Sequence, residues 1–136
     1  MSDFTTAMKI AASGMKAQST RLRVVAGNMA NANSTASVPG GDPYRRQVVT
    51  FASVLDEATG ANTVQVKRIL DDSSDFGLKF DPNHPAADEQ GYIKTPNVNG
   101  LIEMMDMREA QRTYEANLEM LDTARNMSKR TLDLLR

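Results

Sequence analysis

The chain has 136 residues, 40% hydrophobic and 24% charged, with 16 basic against 17 acidic side chains and a net charge of -1. That length suits a single domain, and the near balance of charge gives no overall attraction to nucleic acid or to an anionic membrane. The absence of cysteine excludes disulfides, thiolate metal sites and a thiol nucleophile.

Residues 1–33 carry one acid, Asp3, against Lys9, Lys16, Arg21 and Arg23, whereas residues 34–100 and 101–136 are each net acidic. Opposite ends of the chain can therefore attract. Phe4, Met8, Ala11, Met15, Gln18, Leu22, Val25 and Met29 follow at alternating steps of four and three, and all but Gln18 are apolar. This pattern predicts a helix of roughly seven turns whose stripe drifts so slowly that a partner helix must supercoil to follow it, and the small residues Ala7, Ala12, Ser13 and Gly14 would allow close approach. At its tip, Asn33 reads as a capping residue. Asn28 and Asn31, three apart and so on one face, read as polar contacts between packed helices that fix register. Only IAASGM separates Lys9 from Lys16, shorter and more polar than a secretory signal core, and no run elsewhere can span a bilayer. No cleaved signal peptide and no membrane insertion are expected.

Residues 34–100 hold all five prolines (Pro39, Pro43, Pro82, Pro85, Pro96) and every glycine except Gly14 and Gly27. Within them YRRQVVTF (44–51) and NTVQVKRIL (62–70) read as strands, with FGLKF (76–80) and GYIK (91–94) as weaker candidates between turn-rich segments. A small β-rich insertion is expected.

The last segment, 101–136, repeats the heptad arrangement through Met104, Met107, Gln111, Tyr114, Leu118, Leu121, Arg125, Ser128, Leu132 and Leu135, with Ala110, Ala124 and Met127 widening the stripe. Acids crowd its early turns and bases its late ones, complementing the helix dipole. The expected fold is therefore mainly α: two long terminal helices, over 1–33 and 101–136, forming an antiparallel coiled-coil hairpin around the insertion at 34–100. Such a hairpin leaves much of each stripe wet, and methionine at 8, 15, 29, 104, 107 and 127 offers adaptable packing. Completion by other chains is expected.

Catalytic readings fail on partners. His84, the one histidine, sits in DPNHP with no nucleophile motif, and DDSSD (71–75) lacks the spacing of a calcium loop. Neither PGGDP nor the Glu115/Glu119 pair has the pattern of a phosphate cradle or a hydrolytic dyad. No catalytic, cofactor or metal residue is assigned, and nucleic-acid binding is not expected.

LRVVAGNMANANST (22–35) resembles the N-terminal signature of the bacterial flagellar rod and hook axial proteins, in which a helix ends in Asn-x-x-Asn followed by a Ser/Thr turn. PYRRQVVTF (43–51), KFDPNHPAADEQGYIKTPNVN (79–99) and EMMDMREAQRTYEANLEMLDTARNM (103–127) extend the resemblance over nearly the whole chain, and DPNHPAAD with the following QGY and PNV is similar to the proximal rod members in particular. The resemblance implies a non-enzymatic subunit, exported by the flagellar type III apparatus and polymerised into a helical rod crossing the periplasm. Its implied neighbours are further copies, other rod proteins, and the MS-ring with its rod adaptor. The interface is then expected at Met8, Met15, Leu22, Val25, Asn28, Met29 and Asn31 on the first helix, and at Tyr44, Arg45, Arg46, Asp81 and His84 in the insertion. On the last helix it is expected at Met104, Met107, Arg112, Tyr114, Asn117, Leu118, Leu121 and Leu132. The residues alone also admit a soluble helical adaptor or secretion chaperone that captures one partner.

Overall fold

The computed structural model describes residues 3–136, in the order α1 (Asp3–Ala30), β1 (Gln47–Asp56), β2 (Ala61–Asp71), β3 (Gly77–Phe80), β4 (Tyr92–Thr95) and α2 (Gly100–Leu134). β1 pairs with β2, and β3 pairs antiparallel with β4, as two separate two-stranded sheets.

Local chemistry sets the ends of the elements. α1 closes by tightening: Ala32 N donates to Met29 O at 3.3 Å and Ser34 N to Asn31 O at 3.2 Å, the shorter spacing of a 3₁₀ turn. Asn31 Nδ2 adds a bond to Gly27 O at 2.8 Å. No described residue other than glycine has a positive φ, so Asn31 helps close the helix without entering the left-handed region. α2 begins where Asn99 Oδ1 accepts from Leu101 N at 3.0 Å, an N-cap that satisfies one of the free amides of the first turn. Between β1 and β2, Asp56 Oδ1 accepts from Ala58 N and Thr59 N, and Gly60 takes φ 69°, where a side chain would be strained.

The chain forms two compact units. The first comprises the chain up to Leu22, Val49–Arg68 and Arg108–Arg136; the second comprises Arg23–Val48 and Ile69–Met107. In the first, the buried apolar side chains are small: Ala11, Ala17, Ala110 and Ala124. A Cβ on Gly14 would lie 2.8 Å from Asn117 Nδ2, so the Asn117 side chain packs directly on the bare backbone of Gly14. Arg21 pairs with Glu109 at 3.4 Å, and Lys9 with Asp56 at 3.4 Å. Ser13 Oγ accepts from Val64 N at 3.3 Å, tying β2 to α1.

In the second unit Val24, Val25, Ala86 and Ile93 are buried. The β3–β4 register is Gly77↔Thr95, Leu78↔Lys94, Lys79↔Ile93 and Phe80↔Tyr92, which puts Ile93 on the covered face and Leu78, Phe80 and Tyr92 on the open one. Phe80 and Tyr92 meet edge to face, with ring centroids 5.2 Å apart.

The expected mainly-α coiled-coil hairpin is corrected. About 47% of the residues are helical and about 22% lie in strands, an α+β arrangement with two sheets. The helix contact also differs in kind. Along α2 the buried positions are Glu103, Ala110 and Ala124, spaced by multiples of seven, while Met104, Leu118 and Leu132 of the expected apolar seam are 45%, 41% and 59% exposed. Ala110 and Ala124, expected only to widen the stripe, form the buried row together with Glu103, so small and polar side chains take the place of apolar knobs. Terminal helices and a β-rich middle are compatible with the structure; a purely coiled-coil core is not.

Candidate functional site

The most built feature of the second unit is a polar clasp joining the end of α1, the strand entrance at 44–47, the segment after β2 and the first turns of α2. Asn28, 1% exposed, uses every hydrogen-bonding position of its amide. Its Nδ2 donates to Gln47 O at 2.8 Å and to Glu103 Oε2 at 3.1 Å; its Oδ1 accepts from Tyr44 Oη at 2.7 Å and from Gln47 N at 2.9 Å. A buried amide with four partners carries no desolvation penalty left uncompensated.

Glu103 is 0% exposed and depends on the same arrangement. Its Oε1 accepts from Arg46 Nε, and the rest of the guanidinium reaches Asp72 at 3.2 Å and Asp106 at 3.3 Å. One arginine thus faces three carboxylates, two on α2 and one in the segment after β2. Asn97 holds the arginine's backbone, accepting from Arg46 N at 2.7 Å while donating to Asp72 O, Ser74 O and Ser74 Oγ. Arg45 donates to Asp72 O and Ser74 O and stacks 4.1 Å over the Phe76 ring.

The electrostatics follow from this geometry. Burial opposes the Arg46 charge, but hydrogen bonding and attraction from Glu103, then Asp72, raise its pKa above the ordinary value. Burial first, and then the charges of Glu103 and Asp71, push the Tyr44 hydroxyl up. Asp72 is held below the usual carboxylate value by the Ser74 backbone N–H, the Ser74 hydroxyl and Arg46. The positive charge the carboxylates require is supplied by Arg46, and among the described residues no group of three or more His, Cys, Asp or Glu is arranged to hold a metal. Nor, among the same residues, is any helix long and apolar enough to cross a membrane.

The predicted interface residues divide. Asn28, Tyr44, Arg45 and Arg46 meet in the clasp. Asn31 caps its own helix. Met8, Met15, Leu22 and Met29 are half-buried and Val25 is buried. On α2, Met107, Tyr114 and Leu121 are half-buried, whereas Met104, Arg112, Leu118 and Leu132 are exposed. Asn117 donates to Thr113 O at 3.0 Å and lies against Gly14. Asp81 is half-buried, its backbone N–H on Gly91 O. His84 accepts from Ala86 N through Nδ1 and meets Thr35 Oγ1 through Nε2 at 3.3 Å. Glu103, Asp72, Asn97 and Asp106 were not anticipated. The one signal for Glu103 was its place seven residues before Ala110, and nothing in the chain's periodicity marks the other three.

Two family profiles match the chain. The family described as flagella basal body rod protein matches residues 8–36, and that described as flagellar basal body rod FlgEFG protein, C-terminal, matches residues 89–134. The first stretch contains Asn28 and the second Glu103, the two buried polar residues at the centre of the clasp. These matches define a structural protein of the bacterial flagellar rod. Among curated proteins, the flagellar basal-body rod protein FlgC of Agrobacterium fabrum is 52% identical over 136 residues, covering 100% of this chain and 98% of the relative. FlgC of Salmonella typhimurium is 42% identical, with 92% of each chain covered, and FlgC of Bacillus subtilis 35% identical, with 93% and 95% covered. The chain belongs to the FlgC family of flagellar basal-body rod proteins. It is accordingly a non-enzymatic structural component of the flagellar basal body that assembles with other rod and basal-body proteins.

Proposed function

We propose that the chain is a proximal-rod subunit, exported by the flagellar type III apparatus and polymerised through its terminal helices into the periplasmic drive shaft. Its neighbours are further copies, other rod proteins, and the MS-ring with its adaptor. The observation that carries this reading is the exposure of apolar residues on both flanks of the buried row of α2. Met104 and Leu118 lie on one side and Ile102, Met120 and Met127 on the other, and residues 129–136 are exposed throughout although they include Leu132, Leu134 and Leu135. A helix apolar on more than its core-facing stripe belongs in the interior of something larger. Two flanks that are not equivalent favour head-to-tail contacts that propagate helically over a closed dimer.

The test replaces Leu132 with Asp, at a position exposed in the single chain. The variant is expected to be made and helical to the same degree as the unaltered chain, yet to be missing from purified basal bodies and to leave cells non-motile. Normal incorporation and swimming would refute assembly through this face.

A further inference from the structure

We infer that Asn28 and Glu103 form a register lock, a polar pair that selects one alignment of α1 against α2 among several that the rest of the contact tolerates. The inference concerns the fold of the chain itself and stands apart from the polymerisation reading.

Outside the clasp the helix contact is made by small side chains and by the Arg21–Glu109 pair at 3.4 Å, whose carboxylate is 68% exposed and which therefore chooses a register only weakly. Along α2 the inward positions recur every seven residues as Glu103, Ala110, Asn117 and Ala124, and along α1 Gly14 and Asn28 are separated by two such repeats. In the observed alignment Gly14 faces Asn117, and Glu103 receives Asn28 Nδ2 at 3.1 Å. Moved by one heptad, Gly14 would face Ala124, a small residue for which there is room. Asn28 would then face Ala110, whose methyl offers its amide nothing. Small side chains therefore permit the slip, and repeating contacts of this kind need a polar residue to specify register.

The pair penalises the slip from both sides. Asn28 is satisfied only where Gln47, Tyr44 and Glu103 converge, and Glu103 is fully buried between Asn28 and Arg46. Any other alignment leaves a buried amide or a buried carboxylate without partners. α1 and α2 are each one continuous helix, Asp3–Ala30 and Gly100–Leu134.

Native cysteine is absent, which gives a clean background for disulfide trapping. Three full-length chains are compared in oxidised whole-cell extracts, where assembled and unassembled protein are both scored: Gly14→Cys with Asn117→Cys, Gly14→Cys with Ala124→Cys, and Gly14→Cys with Ala110→Cys. The latter two also carry Asn117→Ala to make room. Links within one chain run as a compacted monomer and links between chains as a dimer. With the clasp intact, the intrachain link forms at 14/117 alone. Adding Glu103→Met, or Asn28→Leu, raises the slipped intrachain links about tenfold or more, as removing the partner of a buried polar group should. Glu103→Gln, which still accepts from Asn28, restores the single alignment. Retention of 14/117 as the sole link in Glu103→Met and Asn28→Leu would overturn the proposal. So would loss of all links in both, which would make the pair a general folding requirement, and so would slipping in Glu103→Gln equal to that in Glu103→Met.

Discussion

Replacing Arg46 with Met gives the sharpest energetic test of the clasp, because it removes one cation from three carboxylates while keeping the aliphatic stem. Asp72 and Asp106 retain 26% and 29% of their side-chain exposure and can turn to water, so their losses are small. Glu103, at 0% exposure, cannot, and leaving such a carboxylate uncompensated costs about 3–5 kcal/mol. That is a large part of the roughly 5–15 kcal/mol that holds an ordinary domain folded. With a urea slope of about 1–3 kcal/mol per molar for a small protein, the unfolding midpoint should fall by about 1–5 M. The assay is urea unfolding followed by far-ultraviolet circular dichroism, in a cycle with Glu103→Gln. Neutralising Glu103 removes the buried charge, so the double variant should be less destabilised than the two single losses added together, by about 1–3 kcal/mol. Arg46→Lys should recover only part of the stability, because an ammonium lacks the planar fork that reaches Glu103, Asp72 and Asp106 together. A loss below about 1 kcal/mol in Arg46→Met, or strict additivity in the cycle, would mean that Glu103 is hydrated and the clasp is ornamental.

Further outcomes are expected from other parts of the molecule. Asp72 has its folded-state pKa lowered, so its contribution is complete above the ordinary carboxylate value of 3.8 and is lost as the pH falls through the lower folded value. Asp72→Asn should flatten the acid limb of the stability profile, and an unchanged limb in an acid titration would exclude the contribution. Gly14→Ala should fail to give the usual gain of about 1 kcal/mol for Gly→Ala in a helix, since its Cβ would meet Asn117. In an Asn117→Ala background the gain should return, and equal effects of Gly14→Ala in the two backgrounds by thermal melting would argue against packing of the Asn117 side chain on Gly14. Leu118→Asp, on the exposed flank of α2, should block incorporation into basal bodies with little change in the unfolding midpoint; a large fall in the midpoint would place Leu118 inside the subunit.

Periodicity made the helical ends legible and alternation made the strands legible, because both depend on near neighbours in sequence. The stretches 44–51 and 62–70 became the hairpin β1–β2 with shifted ends, extended by local turn chemistry at Asp56 and Gly60. The composition of the helix contact was partly legible. Gly14 with its small neighbours, and Ala110 and Ala124 beside the apolar stripe, stand out in the sequence as places for close packing, but a search for apolar residues puts Met104 and Leu118 at the centre of the seam, and both are exposed. The clasp was half legible. The asparagines and the PYRRQ segment stood out as unusual, but their joining through Glu103, Asp72 and Asn97 depends on residues far apart in sequence whose own neighbourhoods look ordinary.

The loop between β3 and β4 has a consequence for what can meet it. Asp81 N bonds to Gly91 O, His84 N to Asp81 O, Ala87 N to His84 O and Gly91 N to Asp88 O, while Asp88 Oδ1 accepts from both Gln90 N and Tyr92 N. Pro82 and Pro85 lie within the same stretch, where fixed φ angles already limit the unfolded chain. The conformational entropy of this loop is lost when the subunit folds, before any neighbour arrives. A surface docking here would meet a finished shape, so its affinity would depend on complementarity alone, and loosening the loop with Pro85→Gly would weaken association without removing a single contact atom from Asp81 or His84.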